Sequence, residues 1–273
     1  MKRKRSLNKH DLSSKRRRKK RGKGFFYLVL LGLVAIGVVF LMRIDFWKIT
    51  EVKVGEAKQV DEAGILEIAK KQIVGTYLGI FPRNNFLIYP KGEIEKEIMD
   101  SEPAVLSVTM KAELDHILTI LIKERLASAL WCKKSGECYF MDKKGIIFAP
   151  AISPSLDNRK LFKYYGIAEG NPLGRQFGEE KFFPELAQFV KKVKDLGLQI
   201  SAAEVVSADR AQIDFEDNSY LIFPPYEKDK AALFENIEIF INDLKSKNDG
   251  QMPLLEYIDA RYGNKIFYKI KNE

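Results

Sequence analysis

Cys132 and Cys138 are the only thiols among the 273 residues, and His10 and His116 are the only imidazoles. A structural zinc site generally takes four Cys or His ligands, and one of these histidines sits in a basic tail and the other in LDHILT, so no metal site is expected. Catalysis has as little to draw on. His116 opens an alternating, strand-like run without a partner acid or base and reads as a solvated strand-end residue rather than a general base. No serine or carboxylate stands in GxSxG, SxxK, HExxH or a Gly-rich phosphate loop. The sequence therefore predicts no catalytic residue, no cofactor and no small-molecule substrate. The cysteines have another chemistry open to them. In LWCKKSGECYF they flank KKSGE, with its Ser-Gly turn signal, between two short apolar or aromatic runs, so a hairpin would bring them face to face. An oxidising compartment would bridge them as a disulfide, and a reducing one would leave two thiols.

The compartment is set by the element that precedes them. FFYLVLLGLVAIGVVFLM, residues 25–42, is an uncharged run of eighteen. As a helix it is roughly 27 Å long, close to the roughly 30 Å of a bilayer's hydrocarbon layer. A cleaved signal peptide is the rival, but its apolar region is usually about 7 to 15 residues and ends at small residues, whereas this run ends MRIDFWK. Phe46 and Trp47 fall at interface depth, and Arg43 can snorkel to the headgroups. Residues 1–24 hold thirteen Lys and Arg, against four in residues 43–60. By the positive-inside rule the tail stays in the cytoplasm and everything after Met42 is translocated. With Asp11 its single acid, the tail carries +12, so the whole chain's +9 leaves −3 on the other 249 residues. Such a tail could also bind nucleic acid, but beside a membrane helix it reads as a topology signal attracted to anionic lipid, with no nucleic-acid partner.

About 230 residues follow, enough for one large or two small cores. Ile49, Val52 and Val54 fit a short strand ended by Gly55. AGILEIAKKQIVG puts Ile65, Ile68, Ala69 and Ile73 at helical spacing, and GEIEKEIMDSEP is a short helix stopped at Pro103. VLSVTMKAEL and HILTILIKERL alternate on either side of a turn at Asp115. That order, β-α-α-β-β, packs two helices on one face of a three-stranded sheet. Beyond it, Asp142 to Gly145 make a D-x-x-G turn and QIDFEDNSYLIF a hairpin around Asp217 and Asn218. Two helical stripes look like core: Phe183, Leu186, Phe189, Val190, Val193 and Leu196, then Phe234, Ile237, Phe240, Ile241 and Leu244. In LLEYIDARYGNKIFYKI, period-2 geometry sets Tyr257, Asp259 and Arg261 on one face. Gly263 and Asn264 turn the chain, and Ile266, Tyr268 and Ile270 then alternate with Lys265, Phe267 and Lys269. A final strand leaves an edge that is either guarded by lysines or used for pairing.

These residues resemble a known family. The opening strand, the β-α-α-β-β order, EPAVLSVTM and the closing ERLASA look like a POTRA domain set after a single membrane helix. Tyr257, Asp259, Arg261 and Tyr262 match the Y-x-D-x-R-Y ending of the FtsQ/DivIB family of bitopic cell-division proteins. The usual closing E-R-x-P-x-A lacks its proline here, Ala127 standing in its place, which could allow a more regular strand. The resemblance implies an α+β protein with a single N-terminal transmembrane helix. Its parts are a cytoplasmic tail (1–24), the helix (25–42), a POTRA domain (46–126) and a β-rich domain with flanking helices (127–273). It further implies a non-enzymatic scaffold of the division septum whose last strand, with Tyr257, Arg261, Tyr262, Ile266, Phe267 and Tyr268, binds an FtsB/FtsL-type partner by strand addition. The alternatives are an ordinary edge guarded by Lys265 and Lys269, a POTRA-bearing translocation or assembly factor, for whose membrane barrel 273 residues leave no room, and a membrane-anchored cell-wall enzyme.

Overall fold

A computed structural model describes residues 9–55, 57, 58, 60–113, 115–151, 161–167 and 170–271, with residues 9–24 described by backbone alone. The chain folds as two units. The first takes the chain as far as Ala57 together with Asp61–Ile98 and Val108–Ile122. The second takes Lys58–Val60, Met99–Ser107 and the chain from Lys123 onward.

In the first unit, α1 (Lys9–Met42) contains the apolar window Phe25–Met42, long and apolar enough to cross a membrane and nowhere buried in the protein. Its end is tied to the fold by Asn85, fully buried, whose Nδ2 donates to the Met42 carbonyl at 2.9 Å. Trp47 packs on Phe86 with ring centroids 5.0 Å apart. β1 (Glu51–Gly55) is followed by α2 (Glu62–Gln72), a two-stranded ribbon of β2 (Thr76–Tyr77) and β3 (Phe81–Pro82), then α3 (Lys91–Ser101), β4 (Val105–Ala112) and β5 (Ile117–Glu124). The three longer strands form a sheet in the order β1-β5-β4, with β1 parallel to β5. The helices bury Ile65 and Ala69 from α2 and Ile94 and Ile98 from α3, and Leu118 and Ile120 of β5 are equally enclosed. Helical spacing therefore identified the buried face of α2, with Ile65 and Ala69 at its centre. The ribbon between the helices carries no alternation long enough to signal a strand.

Two local expectations are corrected. His116 is not a solvated strand end: it sits half-buried at φ 69° with Nδ1 2.8 Å from the Lys48 carbonyl oxygen. Residues 125–128 are not strand either. There the chain is pinned by Arg125, whose Nε donates to the Pro103 carbonyl at 2.9 Å and whose Nη1 meets Asp142 Oδ2 at 2.6 Å. Ala127 packs against the cluster of Leu130, Cys132, Phe140 and Phe148 instead of extending a ladder.

The second unit contains β6 (Ala129–Cys132), β7 (Cys138–Met141), β8 (Ile147–Pro150), β9 (Lys163–Gly166), α4 (Phe182–Asp195), β10 (Ile200–Ser207), β11 (Arg210–Phe215), β12 (Tyr220–Phe223), α5 (Lys230–Lys247), β13 (Leu255–Tyr262) and β14 (Lys265–Ile270). They form one nine-stranded sheet in the order β14-β13-β12-β11-β10-β9-β6-β7-β8. Antiparallel neighbours are joined by tight turns, at Gly145 with φ 88°, Asn218 with φ 63° and Gly263 with φ 66° among others. Three pairs are parallel, β6/β9, β9/β10 and β12/β13, and parallel pairs need crossovers, which α4 and α5 supply for the last two. Both helices turn their apolar stripes into one core with the sheet. The α5 stripe is centred on Leu233, Ile237, Ile241 and Leu244. Phe234 and Phe240, expected in its centre, flank it half-buried, because their rings are long enough to reach Phe189 and Tyr268 from the sides.

Candidate functional site

A sheet edge exposes backbone N–H and C=O groups that another chain can pair with. The nine-stranded sheet has two edges, and they differ. β8 is four residues long, contains Pro150, and is covered at its first residue: Ile147 N–H donates to the Arg175 carbonyl at 2.9 Å and Gly174 N–H to that of Ile147 at 2.8 Å. β14 is six residues long and pairs only with β13. Among the described residues no backbone group lies along its other side.

The direction of its outward groups follows from two observations. Lys271 N–H donates to the Leu254 carbonyl at 2.9 Å, and Tyr262 pairs with Lys265 across the two-residue turn Gly263-Asn264. Both register shifts lie on the β13 side, so β14 alternates without interruption. In an antiparallel ladder alternate residues face the partner. Lys265, Phe267 and Lys269 therefore turn their main-chain groups to β13, whereas Ile266, Tyr268 and Ile270 turn theirs outward.

The side chains divide differently. Phe267 stands over Tyr262, with centroids 5.2 Å apart and rings at 89°, and Arg261 lies 5.6 Å from the Tyr262 centroid. Tyr257 shares this face, which is turned away from α5, and stacks on Tyr220 at 6.0 Å. Ile266 and Tyr268 point the other way. Ile266 is half-buried against the core, and Tyr268 meets Phe240 of α5 at 5.1 Å. So four of the six residues suspected from the sequence come together on one face, and two lie on the opposite face. Tyr220 completes the aromatic row. It was not found from the sequence because its pairing with Tyr257 crosses from β12 to β13, 37 positions along the chain.

Asp259 organises this face from beneath. Its carboxylate is nearly buried and takes two bonds from Arg261, Nε to Oδ1 at 2.9 Å and Nη2 to Oδ2 at 2.7 Å, with the Arg261 N–H as a third donor at 3.2 Å. Burial pushes the carboxyl up, but the Arg261 side chain and backbone N–H together outweigh it and hold Asp259 below the usual carboxylate range. The pair holds the guanidinium 5.6 Å from the Tyr262 ring centroid, so one cation and two exposed rings are presented along the edge.

Cys132 and Cys138 face each other across β6 and β7 and are joined in a disulfide, their Cα atoms 4.1 Å apart. The bridge closes the KKSGE turn and lies away from β14, with five strands between β14 and β6 in the sheet order. Among the described residues, no three His, Cys, Asp or Glu side chains converge where a metal ion could be held. His116 spends Nδ1 on the Lys48 carbonyl.

Compared with known proteins, residues 129–261 match the family model of cell division protein FtsQ/DivIB, C-terminal. The match runs from the first residue of β6 to Arg261 and so includes Tyr257, Asp259 and Arg261. Tyr262, Ile266, Phe267 and Tyr268 lie beyond it. No curated protein matches the chain.

Proposed function

The chain belongs to the FtsQ/DivIB family of cell division proteins, and from that premise we propose that it is a bitopic, non-enzymatic divisome scaffold that recruits an FtsB/FtsL-type partner along β14. The observation that carries this reading is the contrast between the two sheet edges: β8 is short, ends in Pro150 and is covered at Ile147, whereas β14 is longer and, among the described residues, open. Strand addition draws affinity from main-chain hydrogen bonds and specificity from alternating side chains. Ile266, Tyr268 and Ile270 supply the outward main-chain groups, and Tyr257, Arg261, Tyr262 and Phe267 form the face over which alternate side chains of an added strand would lie. Such a partner carries aromatic or aliphatic residues on one face of its strand.

The remaining parts follow from this role. The tail (1–24) stays in the cytoplasm against anionic lipid, residues 25–42 span the membrane, and the bulk folds outside at the division septum. Residues 46–126 form a POTRA domain and residues 127–273 the partner-binding β domain. Folding outside a reducing cytoplasm agrees with the disulfide between Cys132 and Cys138.

The test is binding of an FtsB-type segment to the full chain in detergent micelles. Tyr268→Pro removes one outward N–H without touching the ladder to β13 and should weaken binding at least tenfold while circular dichroism stays unchanged. Tyr268→Ala separates the ring from the N–H and should weaken it less. A folded Tyr268→Pro chain that binds like the parent would sink the proposal.

A further inference from the structure

We propose that the β2–β3 ribbon is a second membrane contact, its apolar tip dipping into the interface of the leaflet from which α1 emerges. This rests on the reading of α1 as a membrane span. The tip is the loop Leu78-Gly79-Ile80 between the paired residues Tyr77 and Phe81, and within it the β-turn centred on Leu78-Gly79 is closed by the Ile80 N–H donating to the Tyr77 carbonyl at 2.9 Å. Both turn residues are left-handed, with φ 52° at Leu78 and 70° at Gly79. β-Turns with positive φ at both central residues strongly favour Asn-Gly, because Asn tolerates positive φ and a bulky side chain does not. Here a leucine takes the first position and leaves 91% of its surface uncovered. It is unfavourable twice over in water, once for its backbone and once for its apolar surface. A hydrocarbon neighbour removes the second cost and gives a reason for the residue.

The position of the tip identifies that neighbour. Arg43, the first residue after α1, donates from Nε to the Ile80 carbonyl at 3.1 Å and from Nη2 to that of Gly79 at 3.4 Å. The turn is thus held at the mouth of the membrane helix by the residue expected to mark headgroup depth. The same bonds satisfy turn carbonyls that would lack donors in a water-poor layer. The sequence expectation for Arg43 was a place at the headgroups, and the fold adds these two bonds to it. Other apolar side chains around the helix exit are also uncovered: Ile44, Phe46, Ile80 and Leu87. The buried Asn85 makes the junction stiff, accepting from the Leu87 N–H at 2.9 Å while it caps Met42. A stiff junction with an apolar tip beside it orients this unit on the bilayer, where a single helix alone would let it swivel.

The experiment uses the full chain in phosphatidylcholine–phosphatidylglycerol nanodiscs. Because the native cysteines are paired, Thr76→Cys supplies the single reactive thiol for a nitrobenzoxadiazole dye two residues behind the tip, about 7 Å away, with the tip itself unaltered. Lipids carrying a nitroxide at the headgroup or at acyl carbon 5 should quench this dye, and the L78N/I80N variant should lose at least half of that quenching with unchanged circular dichroism. A dye at Phe40→Cys reports the span independently. Quenching at position 40 but not at 76 overturns the ribbon contact and leaves the span intact. Quenching at 76 that is unaltered in L78N/I80N also overturns it, since tethering alone then explains the proximity. Quenching at neither position overturns both readings.

Discussion

Asp259 and Arg261 show how a single pair can serve stability and presentation together. A buried carboxylate left without its donor costs about 1–3 kcal/mol, so Arg261→Ala should lower unfolding free energy by that order, measured by urea titration at pH 7. Arg261→Lys should recover only part, because an ammonium cannot make the two parallel bonds. The pH dependence has a definite sign. Asp259 is held below its ordinary value of 3.8, so its contribution is complete above the unfolded-state value and is lost as pH falls through the lower folded one. The difference between parent and Asp259→Asn should therefore be constant from pH 7 to 5 and shrink below about pH 4. Gly166 gives a second residue-scale prediction. It has φ 95°, and a Cβ there would lie 2.0 Å from the Val205 carbonyl oxygen on the paired strand. No side chain can move aside to relieve that contact, so Gly166→Ala should cost on the order of 2 kcal/mol or more by the same titration.

Among the elements, the β6–β7 hairpin and β14 have opposite duties. The disulfide closes a loop with a sequence separation of only 6, and a loop that short gains roughly 2 kcal/mol from reduced unfolded-state entropy. Reduction should lower the melting temperature of the β-rich unit by about 4–8 °C without abolishing the fold, as read by calorimetry with and without dithiothreitol. β14 is held by β13 on one side only, and its inward ladder is carried by Lys265, Phe267 and Lys269. Phe267→Pro should therefore peel the strand and destabilise the unit, whereas Tyr268→Pro should leave stability near the parent value. Denaturation midpoints of the two variants would check the assigned register: equal midpoints would show it to be wrong by one residue.

On the scale of the whole molecule, charge and hydrophobicity are segregated along the chain. The tail carries +12 and the rest −3, so the basic character of the protein belongs to 24 residues beside the membrane helix. Replacing the eight basic residues among Lys15 to Lys23 by Gln should make insertion mixed, because Lys/Arg bias sets orientation. A reporter fused after Glu273 would read this as a population on both sides of the membrane, and one that stays wholly outside would count against the orientation proposed above.

What the sequence determined by itself was everything periodic or compositional. The eighteen-residue apolar run, the buried faces of α2 and α4, the D-x-x-G turn and the Asp259–Arg261 pairing are all set by neighbours within a few positions. Local geometry fixes these at 3.6 or 2 residues per repeat. Tertiary structure decided what depends on partners far along the chain. It placed β14 at an edge and covered β8 with residues 174–176, which no pattern within either strand encodes. It chose which of Phe267 and Tyr268 turns its N–H outward, since strand parity is set only by the partner's register. It moved the centre of the α5 stripe onto Leu233, and it joined Arg43 to a turn 36 positions away. A side chain's type and spacing define what it can bury or bond. Which surface remains free to do so is settled only when the distant strands have paired.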